Sequence, residues 1–150
     1  MNDNPVSMVD ISDKGVTSRV ATAVGKLYLR KSTIDAIKSG AVKKGDPLTI
    51  AEVACVLAVK KTPELIPLCH SIPIESVDTF YIVNEDYVEA TCTVKASYKT
   101  GVEMEALTGV TVALLNIWDM VKYLEKDEHG QYPDTIITDV RVIDKRKKPI

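Results

Sequence analysis

Glu105, Asp119 and Lys122 are, with Glu103, the charged residues that interrupt an apolar run from about Thr100 to Leu124. On a helix, at about 100° per residue, Asp119 falls within roughly 40° of Glu105, and Lys122 within about 60° of Asp119. All three therefore lie towards one side, with Thr108, Val112 and Leu115 as neighbours. Charges set among apolar side chains need partners or a chemical role. A carboxylate and an ammonium one turn apart can serve as base and acid, each tuning the other's proton affinity. The plainer alternative is a surface ion pair at i, i+3, worth roughly a few tenths of a kcal/mol. Glu103 has a plainer alternative too, because Thr100-Gly101-Val102-Glu103 has the spacing of a capping box.

Distance along the helix adds a constraint. At about 1.5 Å per residue, Glu105 and Asp119 are about 21 Å apart, too far for one small substrate to touch both. If both serve an active site, the simplest geometry sets this helix antiparallel to its copy across a two-fold axis, with Glu105 of one subunit near Asp119 and Lys122 of another. The expectation is a homo-oligomer with sites shared at a dimer interface.

Outside the helix, His70 sits between prolines in Ile66-Pro67-Leu68-Cys69-His70-Ser71-Ile72-Pro73. A rigid turn would hold its imidazole in a fixed pose for proton transfer or a phosphate hydrogen bond, although a structural histidine would look the same. Cys69 and His70 are adjacent and have no evident third ligand, so no metal site is expected. Lys44, Lys60 and Lys61, with Arg19 upstream, could form a local cationic pocket suited to a triphosphate; taken singly, each also fits a solvated surface residue. Neither a Walker loop nor a G-x-G-x-x-G motif is present.

These groups need elements to position them. The β-branched and small residues from Thr17 to Arg30 predict a strand. Ser32 or Thr33 would cap a short helix reaching Lys38, with Gly40 as its stop, and Lys43 to Pro47 would be a loop. Ile50, Val53, Ala54, Leu57 and Ala58 recur at helical spacing between Thr49 and Lys60. Thr62 to Pro73 holds three prolines and reads as an ordered turn. Val77 to Val83 and Tyr87 to Tyr98 form a hairpin about the polar turn Asn84-Glu85-Asp86. Thr100 then caps the long helix, a polar break runs from Glu125 to Thr135, and Thr135 to Ile143 is a last strand. The fold expected is α+β and ferredoxin-like, an antiparallel sheet with helices packed on one face.

Composition sets the outer limits. The 150 residues suit one domain, 15–150, behind a flexible segment, 1–14. Nineteen basic against twenty-one acidic residues give a net charge of -2, so nucleic acid is not drawn in by bulk charge, and 5% aromatics offer little for base stacking. Uninterrupted apolar stretches of about ten residues are too short to span a bilayer. No secretory signal is expected in the polar segment Met1 to Lys14, and three cysteines without C-x-x-C spacing fit reduced thiols in the cytoplasm.

Several of these strings resemble one family. Met8-Val9-Asp10, Lys44-Gly45-Asp46, Leu65-Ile66-Pro67-Leu68-Cys69-His70, Lys99 to Thr108, and Asp119-Met120 with Lys122 are similar to the MoaC family, the cyclic pyranopterin monophosphate synthases of molybdenum cofactor biosynthesis. The resemblance implies a hexamer built from three dimers, with active sites at the dimer interface. It implies conversion of 3′,8-cyclo-7,8-dihydro-GTP to cyclic pyranopterin monophosphate and pyrophosphate. It implies Asp119 and Lys122 as the catalytic pair with Lys44 assisting. Leu68, Cys69, His70, Met104 and Glu105 would line the ligand site, with Glu103 beside them, and Arg19, Lys60 and Lys145 would hold phosphate. No resident cofactor is expected; a divalent ion such as Mg2+ carried on the triphosphate is compatible with the chemistry. The chain departs from the family pattern at Ser71, Trp118 and Val121, and Lys145-Arg146-Lys147-Lys148-Pro149 stands in place of a glycine-rich stretch. Two other readings fit the residues: a regulator that binds a nucleotide or pterin without turnover, and a nucleic-acid module using the basic run Lys145 to Lys148.

Overall fold

Residues 4–150 are described by a computed structural model, and residues 1–3 of the N-terminal segment lie outside the described residues. Four strands, β1 (Thr17–Tyr28), β2 (Ile74–Val83), β3 (Tyr87–Tyr98) and β4 (Ile136–Pro149), form one sheet in the order β2-β3-β1-β4. Every neighbouring pair is antiparallel. Helices α1 (Lys31–Ser39), α2 (Pro47–Lys60) and the short α3 (Thr62–Leu65) connect β1 to β2, and α4 (Glu103–Glu125) connects β3 to β4. This is the expected ferredoxin-like α+β topology.

Strand alternation explains which face is covered. Ala21, Ala23 and Leu27 of β1 and Val88, Ala90, Cys92, Val94 and Ala96 of β3 are buried. They meet Ala106, Val110, Ala113, Leu114, Ile117 and Val121 of α4, while Ala51, Cys55 and Val59 of α2 pack in the same core. Period two on the strands and helical spacing on α4 thus bury a single shared layer. The close approach needs small residues. A Cβ on Gly109 would lie 2.9 Å from Cys55 Sγ and 3.1 Å from Cys92 Sγ, so α4 passes between α2 and β3 only where no side chain intervenes. By length and composition α4 could cross a membrane, which a count of uninterrupted apolar stretches missed; here its apolar side is the centre of the core.

Element ends follow the sequence in some places and depart from it in others. Gly40 terminates α1 in the left-handed region at φ 73°, as expected. The helix placed at Thr49 starts earlier, at Pro47, because Asp46 accepts hydrogen bonds from Leu48 N–H at 3.0 Å and the Thr49 hydroxyl at 2.7 Å. The capping box at Thr100 does not form. Val102, fully buried, takes the cap position of α4 with no side-chain cap bond, and Glu103 turns to Lys145 at 3.1 Å. Nor does Ser32 or Thr33 cap α1: Arg30 stands there, and the Thr33 hydroxyl donates to the Glu125 carboxylate.

Glu125 also corrects the polar break. It is the last residue of α4 and completely buried. Besides Thr33, its carboxylate accepts from Arg30 N–H at 3.1 Å and the Thr135 hydroxyl at 2.7 Å. Three neutral donors therefore satisfy a buried carboxyl group and tie the end of α4 to the start of α1 and to the approach to β4. The last strand, expected to end at Ile143, continues to Pro149, so the basic run is part of an edge strand and not a tail. Lys145 and Lys147 pair with Ala21 and Arg19 on the helix side, whereas Arg146 and Lys148 pair with Val20 and Ser18 on the other face. Charges on an edge strand also discourage further strand pairing.

Candidate active site

The N-terminal end of α4 opens into a cleft of about 290 Å³. Its first wall is the proline-flanked turn with Leu68, Cys69 and His70; its second is the start of α4 with Glu103, Met104 and Glu105; residues Val9, Ile11 and Lys14 close the third side. The turn is fixed by short-range bonds. The Thr62 hydroxyl donates to Ala58 O at 3.0 Å, and Cys69 N–H donates to Ile66 O at 3.0 Å. His70 Nε2 donates to the Val9 carbonyl at 2.7 Å. Because a carbonyl can only accept, this bond places a proton on Nε2.

Electrostatics in the cleft are set by burial. Glu105 is 2% exposed, and loss of solvent, with a smaller contribution from the negative charge of Glu103, holds its carboxyl above the ordinary carboxylate range. Cys69 is likewise pushed up, first by desolvation and then by Glu105, so its thiol is the favoured form. Two cations stand at the same end of the sheet. Lys145 Nζ pairs with Glu103 Oε2 at 3.1 Å, and Arg19, 6% exposed, shares the helix-side face of β1 with Nε lacking a hydrogen-bond partner. The other oxygen of Glu103, Oε1, is also buried without a partner. Such orphaned polar atoms mark where a further group could bind.

At the opposite end of α4, Asp119 sits between two ammonium groups. Lys122 Nζ lies 2.9 Å from its Oδ1 and Lys44 Nζ 3.5 Å from its Oδ2; Lys44 also donates to the Asp119 carbonyl at 3.3 Å. The hydrogen bond and charge of Lys122, followed by the charge of Lys44, hold the Asp119 carboxyl below its ordinary range. In return Asp119 holds the Lys122 ammonium above its ordinary range. The burial expected around these charges applies to Glu105 but not here. Within one chain Asp119 and Lys122 have side chains 57% and 42% exposed, on a stripe of α4 that also shows Met104 and Leu115 to solvent.

The residues singled out in the sequence thus divide into two groups. Leu68, Cys69, His70, Glu103, Met104 and Glu105 gather in the cleft, with Arg19 and Lys145 beside it; Lys44, Asp119 and Lys122 gather about 21 Å away along α4. Lys60 joins neither: it is exposed on the outward side of α2 beside Val53, Val56 and Leu57. Lys14 lines the cleft and was missed, since it lies in a segment without periodicity that offered no signal beyond its charge. Among the described residues no group of three or more His, Cys, Asp or Glu side chains gathers as a metal site.

The fold is α+β, of ferredoxin-like topology. Residues 8–148 match the model of the MoaC family, and the chain belongs to that family. A "probable cyclic pyranopterin monophosphate synthase" of Pyrococcus abyssi is 60% identical over 147 residues, covering 98% of this chain and 92% of that protein. Proteins of the same description from Thermococcus kodakarensis and Thermoplasma acidophilum are 57% and 54% identical, covering 98% and 95% of this chain.

Proposed function

We propose that the chain is a cyclic pyranopterin monophosphate synthase, a lyase that converts 3′,8-cyclo-7,8-dihydro-GTP to cyclic pyranopterin monophosphate and pyrophosphate in molybdenum cofactor biosynthesis. The observation that carries the proposal is the Lys44–Asp119–Lys122 cluster, a carboxylate held charged between two ammonium groups at 3.5 and 2.9 Å, in a chain matched to the family from residue 8 to 148. Asp119 and the two lysines move protons while the purine-derived ring opens and recloses as a pterin. Arg19, Lys145 and His70 hold the triphosphate, and Leu68, Cys69, Met104 and Glu105 orient the rings. A sugar-derived hydroxyl, held in line with the α-phosphorus, gives up its proton and forms the new P–O bond. The α–β bridging bond breaks and pyrophosphate leaves with its electrons. A divalent ion, where one takes part, travels on the triphosphate.

No small molecule spans both ends of α4, so the working site is composite. One chain supplies the cleft around Glu105 and its partner supplies Asp119, Lys122 and Lys44. The exposed stripe of α4 with Met104 and Leu115 is the surface that meets the copy, and the exposed Ile50, Val53 and Leu57 of α2 supply a second apolar face for joining dimers into a hexamer. The enzyme acts in the cytoplasm on a free nucleotide derivative. Purified protein incubated with the cyclised GTP substrate is expected to release pyrophosphate and cyclic pyranopterin monophosphate in equal amounts, and Asp119→Asn to abolish both. Tight binding of the substrate without pyrophosphate release would instead make the chain a regulator.

A further inference from the structure

Lys44 is carried by the loop between α1 and α2, bracketed by Gly40 and Gly45 at φ 73° and 121°. A lysine on so permissive a backbone, half exposed itself and facing a half-exposed carboxylate, would lose much of its pairing to side-chain entropy and solvent. Something must hold the loop against α4. Lys43 N–H donates to Tyr123 Oη at 2.8 Å, and the Lys43 ammonium lies 5.5 Å from the centroid of the same ring. Gly45 N–H closes a turn on Val42 O at 3.2 Å, so Lys43 and Lys44 form the crown of a turn whose base, Val42, is buried. Tyr123 follows Lys122 directly and lies one turn beyond Asp119. The turn of helix that carries the carboxylate also carries the acceptor that fixes the neighbouring peptide of Lys44.

We infer that Tyr123 is a positioning residue. Its phenolic oxygen anchors the Lys43–Lys44 segment so that the Lys44 ammonium reaches Asp119. This rests on the roles proposed for Lys44, Asp119 and Lys122, and Tyr123 itself touches no reacting atom.

The test is Tyr123→Phe in the full-length protein, which keeps the ring against Lys43 and removes only Oη. The expected result is a kcat lower by about threefold to tenfold, the weight of one ordinary hydrogen bond, with KM little changed. The Lys43 amide should exchange faster, and the Asp119 carboxyl should titrate by NMR nearer its ordinary value, because Lys44 no longer rests on it. In a Lys44→Met background the same substitution should add nothing to either readout, since both changes remove one contact. Equal losses in the two backgrounds, or an Asp119 titration unmoved by Tyr123→Phe, would overturn the inference. The NMR readout needs no turnover, so a wild-type protein inactive on the substrate would count against the proposed function and leave the role of Tyr123 to be decided by the titration.

Discussion

Glu105 and Asp119 show how one side-chain chemistry is driven in opposite directions by its surroundings. Asp119, in water between two ammonium groups, is kept charged; Glu105, shut away from water beside another carboxylate, is kept protonated to higher pH. For Glu105 this has a consequence for stability. The folded state holds its proton more tightly than the unfolded state, so the contribution of this group is fully present below the ordinary value of 4.5 and is lost as pH rises through the raised folded value. Glu105→Gln, neutral at every pH, is therefore expected to be more stable than the wild type at about pH 8 by on the order of 1 kcal/mol, with the gain gone at about pH 4. Thermal unfolding across that range checks it, and a gain that persists in acid would assign the effect to something other than the buried charge.

Elements were legible in the sequence wherever a local signal decided them. The β2–β3 hairpin, the glycine stop of α1 and the apolar run of α4 all depend on residues a few positions apart, and all three are present, β2 starting three residues earlier than read, at Ile74. What failed was decided at long range. Thr100 and Glu103 have the spacing of a capping box, but Lys145 reaches in from β4 and takes the glutamate. Glu125 looked like the first residue of a polar break because its partners, Arg30, Thr33 and Thr135, lie far from it in sequence or beyond the turn. Truncating it would leave those donors buried and unanswered. Glu125→Ala is expected to cost about 3 kcal/mol and to lower the melting temperature by several degrees, an effect that calorimetry would register directly. A melting temperature unchanged within a degree or so would mean that water replaces the carboxylate.

For the whole molecule, the sequence allowed the candidate residues to be named but not gathered, because a single amphipathic helix places Glu105 and Asp119 at its two ends in any fold that keeps it straight. The structure keeps it one unbroken helix, and the two groups of residues remain apart within the chain. In the proposed function a second copy unites them. Such a composite site makes the oligomer part of the chemistry, since each chain is then half of two active sites. The most direct measurement is activity in mixed assemblies of two inactive variants, Asp119→Asn and a Glu105 substitution that by itself abolishes turnover, co-expressed or allowed to exchange subunits. A dimer with one chain of each kind holds one site with both residues intact and one with neither, so an equal mixture should recover about a quarter of wild-type turnover. Mixed assemblies no more active than either variant alone would show that Glu105 and Asp119 do not meet across chains, and would contradict the account.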